Sequence, residues 1–124
     1  MTERLLFTGP RAWTKYLTLQ MNLTMVWKQL GRPESLELVH GDARGADRMA
    51  ATIWRRLGLP VRAMPADWAT HGKAAGVLRN QGMVDLGGYV HAVAAWIPGS
   101  RGTADCMARI RRAQIPLTVI TTTE

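Results

Sequence analysis

Cysteine is almost missing from this chain: Cys106 is the only one, so neither an intrachain disulfide nor a cysteine-cluster metal site is possible. Histidine is also scarce, and His40, His71 and His91 lack metal-ligand spacing, so no metal is expected. No apolar run reaches the roughly 18 residues that span a bilayer, so no membrane partner is expected. Met1-Thr2-Glu3-Arg4 leads straight into a strand-like run rather than a signal peptide, which makes the cytoplasm the default location. Repeats, linkers and low-complexity tracts are absent, and 124 residues make one domain, 1–124. Acidic residues are few: 9 against 16 lysines and arginines, a formal charge of +7 that suits an anionic partner. The cations are scattered, and only Arg109, Arg111 and Arg112 cluster, near a helix C-terminus where cations are favoured anyway.

What the chain does have is a regular alternation of short apolar runs and helical patterns. The runs Leu5–Phe7, Leu36–His40, Pro60–Met64, Val90–Ile97 and Ile115–Ile120 read as strands. Between them, apolar residues recur at three- and four-residue spacing over about 14–30, 46–57, 71–86 and 102–113. This alternation predicts an α/β, Rossmann-like three-layer sandwich, a mostly parallel five-stranded sheet of order 3-2-1-4-5 with helices on both faces. In that order the first and fourth strands flank the switch point, and the loops after them open into one crevice.

Three of those loops are glycine-rich. Pro98-Gly99-Ser100-Arg101-Gly102-Thr103 closes the fourth strand and opens a helix, leaving backbone N–H groups unpaired at a positive dipole end, a setting for phosphate. Thr8-Gly9-Pro10-Arg11 follows the first strand and faces the same place. Gly41-Asp42-Ala43-Arg44-Gly45-Ala46-Asp47 follows the second, with Arg44 suited to phosphate, Asp42 to ribose hydroxyls, and Asp47 to the first turn of a helix. Ala66-Asp67-Trp68 precedes a small-residue helix carrying Arg79 and Asn80, a pair suited to an anionic group and a base edge. Asp67 is a second candidate for a ribose hydroxyl, and Trp68 for stacking on a base.

These stretches, with Gly72-Lys73-Ala74-Ala75-Gly76 and Met83, stand in one order and resemble the YspA-like branch of the SLOG superfamily over about residues 5–120. The resemblance implies a Rossmann-like fold and a nucleotide-derived ligand, in some members as sensors tied to conflict or stress systems. Carried over by position, it implies a site from Gly9, Arg11, Gly41, Arg44, Gly45, Asp47, Arg79, Asn80, Ser100, Gly102 and Thr103. One segment is similar to the cytokinin-activating phosphoribohydrolases, which carry Pro-Gly-Gly-x-Gly-Thr-x-x-Glu. Here Ser100 replaces the second glycine and Cys106 the glutamate. A carboxylate stabilises the oxocarbenium-like transition state of N-glycosidic cleavage, and a cysteine does not. Asp105 is one residue away, about 100° around the helix, and is expected to point elsewhere. Cys106 near a helix N-terminus has the setting for a lowered thiol pKa, but no histidine is close in sequence.

The expectation is therefore a non-catalytic nucleotide-binding or sensing domain for a nucleoside phosphate or ADP-ribose-like molecule, requiring no cofactor. Two alternatives stand beside it. One is a phosphoribohydrolase-like enzyme using Asp42, Asp47 or Asp67. The other is a nucleic-acid-binding module, which the charge suits but the absence of a basic, aromatic-interleaved stripe does not. A homo-oligomer, a dimer, is expected because Trp13, Trp27 and Met25 exceed what one small core covers.

Overall fold

A computed structural model describes residues 2–122, so the last two residues of the tail at 121–124 lie outside the described region. Five strands, β1 (Arg4–Thr8), β2 (Glu37–His40), β3 (Val61–Ala63), β4 (Tyr89–Ala95) and β5 (Leu117–Ile120), form one sheet. Its order is β3-β2-β1-β4-β5, with every pairing parallel, so the fold is the doubly wound α/β sandwich that the alternation predicts. Helices α1 (Tyr16–Gln29) and α2 (Ala46–Arg56) pack on one face, and α4 (Ala75–Leu86) and α5 (Arg101–Arg112) on the other. Parallel strands need such crossovers, and their fixed hand puts the two pairs of helices on opposite faces once the strand order reverses at β1 and β4.

Successive side chains of β1 divide between the two cores. Leu5 and Phe7 join Leu19, Leu23, Ile53 and Trp54 on one face, and Leu6 joins Val39, Met83, Cys106 and Ile110 on the other. Each fully buried large side chain contributes roughly 1.5–3 kcal/mol, so α1 is held by Leu19, Leu23 and Val26 rather than by a side-chain N-cap hydrogen bond, which it does not make. The buried Trp54 indole is satisfied by the Leu36 carbonyl at 2.9 Å.

Three expectations change. The helix expected over 71–86 is broken: a four-residue α3 (Trp68–His71) and a 3₁₀ turn (Gly72–Ala74) precede α4. Gly72 takes a left-handed conformation (φ 53°), which ends α3 before α4 starts. Strand β3 stands at the edge as the expected order has it, but two of its three residues are exposed, so this run is not covered like the other strands. Trp13 is buried and Trp27 packs against the core with its indole donating to the Pro33 carbonyl, so one domain accommodates both; of the three residues behind the expected dimer, only Met25 is exposed.

Candidate functional site

The carboxyl ends of β1, β2 and β4 gather three loops, and what lets them close up is glycine. A Cβ on Gly9 would come within 2.5 Å of the Ala46 Cβ, so the β1 loop lies flat against the start of α2. Gly45 has φ 79°, and a Cβ there would overlap the Arg11 carbonyl. The Ala46 amide donates to the Pro10 carbonyl at 3.2 Å, completing the junction.

Asp47 is the polar centre of this junction. It is 4% exposed, and its Oδ2 accepts the amides of Gly41 (3.1 Å) and Ala43 (3.2 Å), so it fixes the β2 loop from the first turn of α2. Its Oδ1 is buried and finds no partner of good hydrogen-bond geometry among the described residues. Burial raises its pKa to about 6, against the pull of the Ala43, Gly41 and Gly9 amides and the Arg79 charge. Nearby His40 accepts the Asp42 amide on Nδ1 (2.9 Å), which supports the left-handed Asp42 (φ 57°). Burial lowers the His40 pKa and keeps it neutral.

A cavity of about 540 Å³ opens above Asp47, between the β1 loop and α5. Ser100, Arg101, Gly102 and Thr103 line it, and Ser100 makes no side-chain cap. The first bond of α5 runs from the Ala104 amide to the Ser100 carbonyl (2.9 Å), so the amides of Arg101, Gly102 and Thr103 have no protein acceptor among the described residues. No acidic side chain stands in that first turn. Unpaired donors and a positive dipole end thus face this side of the cavity, and Lys73, Arg79 and Arg101 are among its lining residues.

Thr8, Gly9, Arg11, Ala43, Asp47, Arg79, Asn80, Ser100, Arg101, Gly102 and Thr103 all line this cavity. Gly41, Asp42 and Arg44 line an adjoining one, of about 350 Å³. Two residues expected at the site line neither: Gly45 packs under Arg11, and Asp67 is exposed and caps α3 by accepting the Thr70 amide (3.2 Å). Asn80 lines the cavity, but its amide is engaged within the protein. Nδ2 donates to Asp105 Oδ2 (3.0 Å) and the Gly102 carbonyl (3.3 Å), while Oδ1 accepts from Arg79 Nε (3.0 Å). It clips α4 to α5 and aims Arg79.

Two expectations about α5 are reversed. Asp105 does face the cavity, held by Arg109 (2.9 Å) and Asn80. Burial would raise its pKa, but those hydrogen bonds prevail and lower it. Cys106 faces the core instead, and burial pushes its thiol up to about 11, partly offset by Thr8, so it is no activated nucleophile. Lys73 and Met83, quoted for the resemblance but not as site residues, also line the cavity with Val77, which the sequence did not single out, and Trp68, half exposed, stands at the rim. The spacing of Gly76, Arg79, Asn80 and Met83 on one helix was the available signal, since all four end on the cavity side of α4.

Residues 3–71 match the model of a family described as YspA, cpYpsA-related SLOG. The gene 61 protein of Mycobacterium phage D29 is 40% identical over 125 residues, covering 93% of this chain and 94% of its own length. Among solved structures, phenylacrylic acid decarboxylase from Aquifex aeolicus is similar with a TM-score of 0.36 and 13% identity, over 96% of this chain and 81% of that one.

Proposed function

The chain belongs to the YspA, cpYpsA-related SLOG family, and from that premise we propose that it is a small nucleotide-binding domain that senses its ligand. The ligand is a nucleoside phosphate or an ADP-ribose-like molecule. One observation carries the reading: the α5 amides that find no acceptor among the described residues stand at a single cavity that Asp47 and Arg79 also line. A phosphate takes the amides and the guanidinium; a sugar hydroxyl donates to the carboxylate. A cavity of about 540 Å³ is of ligand-pocket size. The test is thermal stabilisation by a nucleotide panel, with Arg79→Ala as control. Stabilisation of the wild type that disappears in the variant supports the reading, and no stabilisation by any nucleotide sinks it.

Asp47 favours a second reading, hydrolysis of an N-glycosidic bond. A carboxylate with a pKa of about 6 takes a proton from water as the water oxygen bonds the anomeric carbon and the C–N bond breaks, and the departing base, which leaves with that electron pair, is protonated in turn. Chromatography for free base after incubation with nucleoside monophosphates and ADP-ribose separates the two readings.

Self-association belongs to the same proposal, now on different residues. Leu17, Met21 and Met25 are 70%, 68% and 54% exposed at four-residue spacing along α1, and a second copy of the chain would cover them. Light scattering reads the mass, and a monomer throughout would end this part of the proposal. Among the described residues no helix is long and apolar enough to cross a membrane.

A further inference from the structure

The two cavities at the sheet edge are one crevice divided by a side chain. Arg11, Ala43, Trp68 and Arg79 line both. Arg79 is the partition: it comes off α4, donates through Nη1 to the Gly41 carbonyl and through Nε to Asn80, and so lies across the β2 loop. Gly41 has no side chain to hinder it, since a Cβ there would overlap the guanidinium.

The chambers differ in how they hold charge. The first offers the α5 amides and also two carboxylates, Asp47 and Asp105. The second, about 350 Å³, is lined by Arg11, Arg44, Arg48 and Arg79 against one carboxylate, Asp42. Arg48 meets Asp42 at 3.4 Å, with both side chains well exposed, an ion pair too solvated to neutralise the rest. Arg44 is exposed at the mouth, and no ion pair among the described residues engages it. Four guanidiniums on one concave wall are a costly arrangement unless an anion joins them, and guanidinium matches the planar oxygen pairs of a phosphoryl group.

We infer that the ligand carries two anionic groups and straddles Arg79: one phosphoryl group on the α5 amides, the second in the chamber of Arg44 and Arg48. This deepens the nucleotide reading and rests on it. The ligand class narrows from any nucleoside phosphate to nucleotides with a second phosphoryl group, either on the ribose or along the 5′ chain. Arg79 touches both groups and couples the two ends of the molecule.

The test uses the full chain and titrates three probes by calorimetry: adenosine 5′-monophosphate, adenosine 3′,5′-bisphosphate and ADP-ribose. At least one of the two probes with two phosphoryl groups is expected to bind about tenfold or more tighter than the monophosphate. Which of the two does so distinguishes a ribose phosphate from a 5′-chain phosphate. The double variant Arg44→Gln/Arg48→Gln, altered only at exposed positions, should reduce that advantage to nothing. Equal affinity for all three probes in the wild type, or an advantage that survives in the double variant, overturns the inference and leaves the nucleotide reading standing. Failure of every probe to bind the wild type overturns both.

Discussion

Arg79 lies on the peptide of Gly41: its Nη1 donates to that carbonyl, and the guanidinium occupies the space where any other residue would carry a Cβ. A contact between residues 38 apart in the chain thus sets where the positive charge of the site stands. Gly41→Ala tests it. The backbone at Gly41 has no left-handed φ, and the obstructing atoms are the far end of a flexible side chain, so the stability cost should stay below about 2 kcal/mol. The displaced Arg79 should cost about tenfold in nucleotide affinity. Unchanged affinity with the variant folded would show that Arg79 is not where the ligand needs it.

The pH dependence of folding follows from Asp47. Its folded pKa, about 6, lies above the ordinary 3.8, so between those values the folded state holds the extra proton. The stabilising contribution is complete below about pH 4 and is lost as pH rises through 6, a difference of about 3 kcal/mol. His40 runs the other way, since burial lowers its pKa and its contribution is lost as pH falls. Comparing wild type with Asp47→Asn isolates the first effect. In denaturant titrations from about pH 4 to pH 7, the variant should gain relative stability as pH rises. A difference that stays flat across that range would mean the carboxylate is ionised throughout.

Gly102 stands in the first turn of α5, and a Cβ there meets nothing within 4 Å. Gly102→Val therefore projects into open cavity rather than into packing. Stability should change by no more than about 1 kcal/mol, while nucleotide-induced stabilisation disappears. Retained stabilisation would place the ligand elsewhere.

Gly45 is the opposite case. Left-handed backbone and overlap with the Arg11 carbonyl coincide there, and neither can relax without moving the β1 loop. Gly45→Ala should cost roughly 2–5 kcal/mol in chemical denaturation. A loss under about 1 kcal/mol would show the junction to be looser than its geometry.

Much of the site was legible beforehand because it is built from turns. Gly9 and Gly41 each follow a strand and Gly102 opens the helix after another, and a parallel sheet brings the ends of neighbouring strands to one edge whatever their side chains are. Asp67 was harder, since an aspartate three residues before the Thr70 amide serves as a cap as readily as a ligand, and only the exposed position at α3 decides it. Asp105 and Cys106 show the limit of helical angles. Both were assigned from their spacing relative to a motif, but Asp105 lines the cavity, held by Asn80 and Arg109, while Cys106 packs into the core beside Leu6 and Met83.

The sequence by itself determined the order of elements, the parallel sheet and the edge at which the loops meet. Periodicity, turn residues and the fixed hand of the crossovers are local or general properties, and they suffice for topology. The tertiary structure alone decided what each polar group does: Asp47 carries a buried oxygen with no well-placed partner among the described residues, Asn80 is committed to Gly102 and Asp105, and Arg79 divides the crevice. Those roles depend on desolvation and on partners tens of residues away, which no spacing within the chain encodes.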